Sequence, residues 1–152
     1  MKQKKRKDSE TVKTEVVCPN DTNPMELLQG GRLVEWMDIA AAVCAQTHAE
    51  KICVTASINH VDFKHSAMVG DIVTIHANIT RAFNSSMEIL VKAYARKVLV
   101  GERNLISEAY FTFVALNKVG ESTRVNELVP ETEEEIAEFE AAGRRRISQF
   151  SQ

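Results

Sequence analysis

Between Gly30 and His48, apolar residues recur at the spacing of one helical stripe: Leu33, Trp36, Met37, Ala40, Ala41 and Cys44. Ile39, Ala42 and Val43 make the opposite side apolar as well, so the pattern predicts a long helix buried nearly all round. Its alanines keep the cylinder thin, which suits a sheet wrapped closely around it. Gly30 and Gly31 stand where this helix begins, and without side chains they let a ligand oxygen approach backbone N–H groups that have no intrahelical partner. Asp38 immediately precedes the unbroken apolar run Ile39 to Ala45. A carboxylate in that setting needs either a partner or a chemical role.

The rest of the chain is mostly strand-like. Thr11 to Cys18 is rich in β-branched residues and stops at Pro19. A loop to Leu28 follows, with turn chemistry at Asp21, Asn23 and Pro24; the structural reading of Asn23 is an Asx-turn residue. Ile52 to Phe63 is a second strand. After a turn over Lys64 to Gly70, the stretch from Asp71 alternates, with Ile72, Thr74, His76 and Asn78 on one face and Val73, Ile75, Ala77 and Ile79 on the other. Asn84, Ser85 and Ser86 turn the chain into Met87 to Val98, and Gly101-Glu102 turns it into Asn104 to Leu116. Strands joined by such short turns cannot be parallel neighbours. The fold class is therefore α+β, an antiparallel sheet around one long helix. From Glu131 onward acids lead and Arg144, Arg145 and Arg146 trail, the polarity a helix dipole favours. The apolar set there, Ile136, Phe139, Ile147 and Phe150, is thin and predicts a peripheral helix. The expected division is a disordered basic tail over 1–10, one domain over 11–120, and a C-terminal extension over 121–152.

Composition changes this picture little. With 152 residues, 44% of them hydrophobic and 26% charged, the chain is sized and composed as one ordinary globular domain. A formal net charge of -2 gives no reason to expect nucleic-acid binding. Cys18, Cys44 and Cys53 are odd in number and widely spaced, which fits reduced thiols in a cytoplasmic protein and no metal site. The basic start, Lys2 to Lys7, is followed by no apolar run of signal-peptide length, and no segment reaches the ~18 apolar residues of a membrane span. His48 reads as a helix-end cation, and His60 and His65 have no metal-ligand partners in sequence.

The blocks DTNPMELLQGGRLVEWMD, VTASINHVDF, VGD, NSSMEI and GERNLISEAYFTFVAL, in that order from about Val12 to Leu116, resemble the hotdog-fold acyl-CoA thioesterases, above all the bacterial short-to-medium-chain acyl-CoA hydrolases. The resemblance implies an acyl-CoA substrate, a homo-oligomer built on dimers, with a hexamer among the forms this can take, and active sites at the dimer interface. It implies no cofactor beyond the coenzyme A of the substrate. It places the catalytic carboxylate on Asp38, a side-chain amide on Asn23, working across the interface with the other protomer's Asp38, and the backbone oxyanion site on Gly30 and Gly31. Thr55, Ser85 and Ser86 fall near substrate by the same carry-over, the serines against a bland hairpin reading. Arg81 is a candidate for the coenzyme A phosphates, against a solvated strand arginine.

Thioester hydrolysis develops charge on the former carbonyl oxygen and needs an activated water. The helix start supplies donors and Asp38 a base, or alternatively a nucleophile that passes through an anhydride. Met25, Leu27 and Leu28 are candidates to line an acyl tunnel, with Glu26 opposing anionic acyl groups. The chain departs from the pattern at Met25, Glu26 and Gln29, which bears on substrate preference. Hydratases of the same fold carry a histidine where this chain has Glu26, which disfavours that reaction. A non-catalytic acyl-CoA-sensing domain is the remaining alternative.

Overall fold

The computed structural model describes residues 1–150. Five strands, β1 (Thr11–Val16), β2 (Cys53–Phe63), β3 (Ile72–Ala82), β4 (Ser86–Arg96) and β5 (Arg103–Ala115), form one sheet in the order β1-β3-β4-β5-β2, every neighbouring pair antiparallel. The elements fall close to the expected ranges, but β2 does not pair with β3. It crosses to the far side and pairs with β5, Cys53 opposite Ala115, so that β1 and β2 are the two edges.

The helix α1 (Gly30–Ala49) lies on one face of this sheet. Period-two alternation turns Val73, Ile75, Ala77 and Ile79 of β3 toward it, all fully buried, along with Phe111 and Phe113 of β5. The alanines at 40, 41 and 45 are equally buried and let the sheet close on the helix. The helix is not buried all round, however: Ile39 and Val43 are 45% and 47% exposed. Its stripe from Leu33 to Ala45 faces the sheet, and within one protomer nothing covers the other side.

A second helix, α2 (Glu133–Phe150), packs on the outer face of the sheet. The expected apolar stripe does little of this. Ile136 and Ile147 are exposed, and the side chain of Phe150 lies outside the described residues. Ala142 is buried and Phe139 stacks under Arg81, 4.1 Å from guanidinium carbon to ring centre. The strongest tie is ionic: Arg145 donates Nε and Nη2 to the two carboxylate oxygens of buried Glu88, at 3.0 and 2.6 Å. The three arginines thus sit well inside the helix rather than in its last turn, and Arg145 is a docking residue rather than a dipole counter-charge.

The first ten residues are not a disordered tail. Gln3–Lys4 pairs in parallel with Glu127–Leu128, and Arg6–Asp8 makes a 3₁₀ turn whose Arg6 bonds Glu138 of α2. Lys4 Nζ donates to the carbonyls of Thr47 (2.7 Å) and His48 (3.2 Å) at the end of α1. Orphan carbonyls and the negative end of the helix dipole give these basic residues a place to dock, which composition alone does not reveal.

His48 is likewise not a helix-end cation. It is fully buried, its Nε2 donates to Asn126 O at 2.7 Å, and its Nδ1 is buried without a partner. Burial pushes its pKa below the usual histidine value, against the smaller opposing effect of the Asn126 carbonyl. A histidine whose folded pKa is depressed contributes stability above its unfolded pKa of about 6.5, and that stability is lost as pH falls from there through the folded value. The melting temperature should therefore drop as pH is lowered below about 6.5, and His48→Gln, which keeps a donor for Asn126 O, should flatten that limb. An unchanged limb in the variant would assign the acid sensitivity to other groups.

Candidate active site

The start of α1 is held by the lead-in loop. Gln29 N donates to Asp21 O (3.0 Å), Gln29 Nε2 donates to Thr22 O (2.9 Å), and Arg32 is paired with Asp21 at 3.3 Å. The N–H groups of Gly30 and Gly31 are left without acceptors, as the first turn of any helix requires, and both glycines are exposed. A side chain on Gly31 would meet nothing within 4 Å, whereas one on Gly30 would touch the Phe63 ring at 3.5 Å. The glycines therefore keep an approach to the helix end open. Asn23 is an Asx-turn residue, its Oδ1 accepting from Met25 N (2.9 Å) and Leu27 N (3.2 Å). That bonding fixes the amide and leaves Nδ2 as its outward donor.

Asp38 is half-buried on α1, and its Oδ1 accepts a 2.7 Å hydrogen bond from Thr55 Oγ1 of β2. A β-bulge at Ala56 makes the alignment: the register to β5 shifts between Thr55 and Ser57, so Thr55 and Ile58 both lie opposite core-facing phenylalanines, Phe113 and Phe111. Thr55 carried a substrate-binding expectation; the structure shows it gripping the carboxylate. Asp38 and Gly30 are not brought together within one protomer. Eight residues of α-helix separate them by roughly 12 Å along the axis.

The other expected contacts divide. Leu28 is half-buried and lines a cleft beside Gly30, while Met25 is 74% exposed at the loop tip. Ser85 and Ser86 close the β3–β4 hairpin, with Phe83 N donating to Ser86 O at 2.8 Å. Ser86 is buried, and its hydroxyl accepts from Arg146 Nη1 at 2.9 Å. Arg81 lies between Phe83 and Phe139 and donates to Phe139 O at 3.2 Å. Both side chains help to seat α2 against the sheet. Sequence reasoning gave no site role to Leu33, Phe63, Ala67 and Ile106, which also line the cleft; only the long-range pairing of their segments brings them together.

Burial pushes Cys44 and Cys53 each up to about 11, so both stay protonated near neutrality. Among the described residues no cluster of three metal-ligating side chains occurs, and no helix is long and apolar enough to cross a membrane.

An open-edged antiparallel sheet around one long helix is the hotdog architecture. The chain belongs to the Thioesterase superfamily, which it matches over residues 25–102. It is 41% identical over 130 residues, 86% of this chain and 76% of the other, to an uncharacterized acyl-CoA thioester hydrolase of Bacillus subtilis. A solved hexameric acyl-CoA thioesterase in its apo form superposes with a TM-score of 0.95 at 36% identity, covering 99% of this chain and 97% of that one. The acyl-CoA hydrolase of Staphylococcus aureus, solved with butyryl coenzyme A, coenzyme A and coenzyme A disulfide, superposes with a TM-score of 0.91 at 33% identity over 98% of this chain and 91% of that one. The same enzyme has been solved with an aspartate, an asparagine or a threonine replaced by alanine.

Proposed function

We propose that the protein hydrolyses acyl-CoA thioesters to a carboxylic acid and coenzyme A, at sites shared between the protomers of a homo-oligomer. The observation that carries this reading is the 2.7 Å bond from Thr55 to Asp38, a half-buried carboxylate held by the sheet's open edge strand. With Oδ1 held by Thr55, Oδ2 is the oxygen left to take a proton from water. The water oxygen then bonds to the thioester carbon, and the carbonyl oxygen takes up the charge against the N–H groups of Gly30 and Gly31. Collapse breaks the C–S bond, and the leaving thiolate receives the proton that Asp38 accepted. No cofactor is called for beyond the coenzyme A of the substrate.

The separation of Asp38 from Gly30 is removed by a second copy. β2 is an edge, and Ile39, Val43 and Val54 leave apolar surface beside it. If two β2 edges pair antiparallel about a two-fold axis near Asn59, Thr55 stands opposite the partner's Phe63, and Phe63 touches the position of Gly30. Each Asp38 then meets the helix start and the Asn23 amide of the other chain. The three residue types replaced in the S. aureus hydrolase variants are those of Asp38, Asn23 and Thr55, and a hexameric relative is in keeping with assembly from such dimers. Three free cysteines suit a reducing compartment, and we place the protein in the cytoplasm.

The test is release of free thiol from a panel of acyl-CoA thioesters. Turnover of at least one is expected, and tight binding of all with turnover of none would replace the enzyme by a sensor.

A further inference from the structure

The residue that opens α1 does not turn its side chain over the helix end. Gln29 makes no cap bond to the first turn, and that turn holds no acid. At α2 the same chain supplies both devices: Thr132 Oγ1 accepts from Glu135 N at 3.1 Å, and Glu133, Glu134 and Glu135 lead the helix. The Gln29 amide reaches backwards instead, its Nε2 on the carbonyl of Thr22. Three residues on, Arg32 also reaches back, to one carboxylate oxygen of Asp21, whose other oxygen accepts from Cys18 N at 2.9 Å. Asp21 and Thr22 form the stem of the Asn23 turn, which is exposed from Asn23 to Glu26. Two side chains at the head of α1, one neutral and one charged, therefore add to the backbone bonds that hold this turn.

We infer that Gln29 and Arg32 are positioning residues: they fix the Asn23 amide relative to the head of α1, and the direction Gln29 takes keeps the Gly31 N–H open. The inference rests on the hydrolase reading, in which that N–H receives the charge of the thioester oxygen and Asn23 acts in the same composite site. Both groups belong to one chain and face one Asp38 of the other, so their spacing must hold to within about 1 Å. An aspartate or serine in place of Gln29 would fold its oxygen over the helix end and accept from the N–H of Gly31 or Arg32. The helix would gain stability and the site would lose a donor. Gln29 donates away from the helix, so it ties the loop without competing for that N–H. Arg32 stands where a helix start disfavours a cation, and its bond to Asp21 offsets that cost while its charge favours an anion at the helix end. Gln29 does not line the cleft beside Gly30, so it acts through the loop and not by touching the acyl group.

The experiment measures kcat, KM and melting temperature, on the acyl-CoA that the wild type turns over fastest, for the wild type, Gln29→Asp, Gln29→Ala, Gln29→Lys and Arg32→Ala. Gln29 is exposed, so its variants should fold. Gln29→Asp caps the helix, and its melting temperature should rise by about 2–4 °C. Its kcat should fall about a hundredfold with KM within about threefold, because an oxyanion donor acts chiefly in the transition state. Gln29→Ala has neither tie nor cap and should lose about tenfold in kcat at a melting temperature close to that of the wild type. Gln29→Lys keeps a donor within reach of Thr22 O and offers the helix no acceptor, so its kcat should stay within about threefold of the wild type. Arg32→Ala should lose about tenfold in kcat. A merely structural role would make stability and activity fall together, and a more stable but slower Gln29→Asp protein is the opposite of that. Wild-type kcat in Gln29→Asp and Gln29→Ala, or a Gln29→Lys protein as impaired as Gln29→Ala, would overturn the role of Gln29 and leave the hydrolase intact; wild-type kcat in Arg32→Ala would do the same for Arg32. No hydrolysis of any thioester by the wild type would overturn both readings.

Discussion

The Asp38→Asn protein should fold as the wild type does and turn over acyl-CoA at least a hundredfold more slowly, about the lower bound of what a positioned general base contributes. Asparagine has the shape of aspartate and can still accept the Thr55 hydroxyl at Oδ1, so the contact between α1 and β2 persists. What is lost is the second oxygen's ability to take a proton. The burial of Leu33, Trp36, Met37, Ala40 and Ala41 on the neighbouring stripe is untouched, so the melting temperature should move little. Thiol release measured beside a thermal melt separates the two effects. A folded variant with near wild-type turnover would remove Asp38 from the mechanism and leave the bond to Thr55 as packing.

If the site is shared between protomers as proposed, a second large effect becomes measurable. Asn23→Ala and Asp38→Asn should each be nearly inactive as pure proteins. When the two are mixed in equal amounts under conditions that exchange subunits, half of the dimers contain one chain of each kind, and one of the two sites in each is intact. About a quarter of the wild-type activity should return, a gain over either parent of more than tenfold. If exchange is demonstrated, by mass or by fluorescent labels, and activity does not return, Asn23 either serves the Asp38 of its own chain or only shapes the loop. Its Asx turn, with Oδ1 engaged by two backbone donors, makes the second outcome a real competitor, and Asn23→Asp, which keeps the turn and loses the Nδ2 donor, decides between them.

Patterns within a single element were legible in the sequence. The 3, 4, 7, 8 spacing from Leu33 onward located α1, and the alternation from Ile72 located β3 and the face it buries, because each pattern reports one element's own orientation. The position of the helix start at Gly30 followed from the double glycine. Features that depend on which elements meet were not legible. Nothing in the text of Cys53 to Phe63 says that its partner is Arg103 to Ala115, so the cleft beside Gly30, which Phe63 and Ile106 help to line, was not legible; of Met25, Leu27 and Leu28, the expected lining of an acyl tunnel, Leu28 does reach it. The bulge at Ala56, which aims Thr55 at Asp38, leaves no mark on composition. Arg81 reads as a phosphate candidate or a solvated arginine, Ser86 as a hairpin or substrate-side serine and the arginines of α2 as counter-charges to its dipole, since a sequence does not show that α2 lies across the outer face and engages them. Ile39 and Val43 misled in the opposite direction: apolar residues signal burial, but not whether the covering surface belongs to the same chain.

The pairing of Gln3–Lys4 with Glu127–Leu128 has a consequence for the order in which the chain can be completed during synthesis. At a translation rate of about 5–20 residues per second, the two halves of this ladder are made roughly 6–25 s apart. Throughout that interval the carbonyls ending α1 lack Asn126, whose Nδ2 donates to His48 O at 2.9 Å, as well as the ladder that anchors Lys4 beside them. β2 waits in the same way, with no partner on either side until β5 emerges some fifty residues later. A growing chain therefore presents two unpaired strands at once, and chaperone capture of nascent chains should concentrate in the window that closes when residue 128 clears the ribosome.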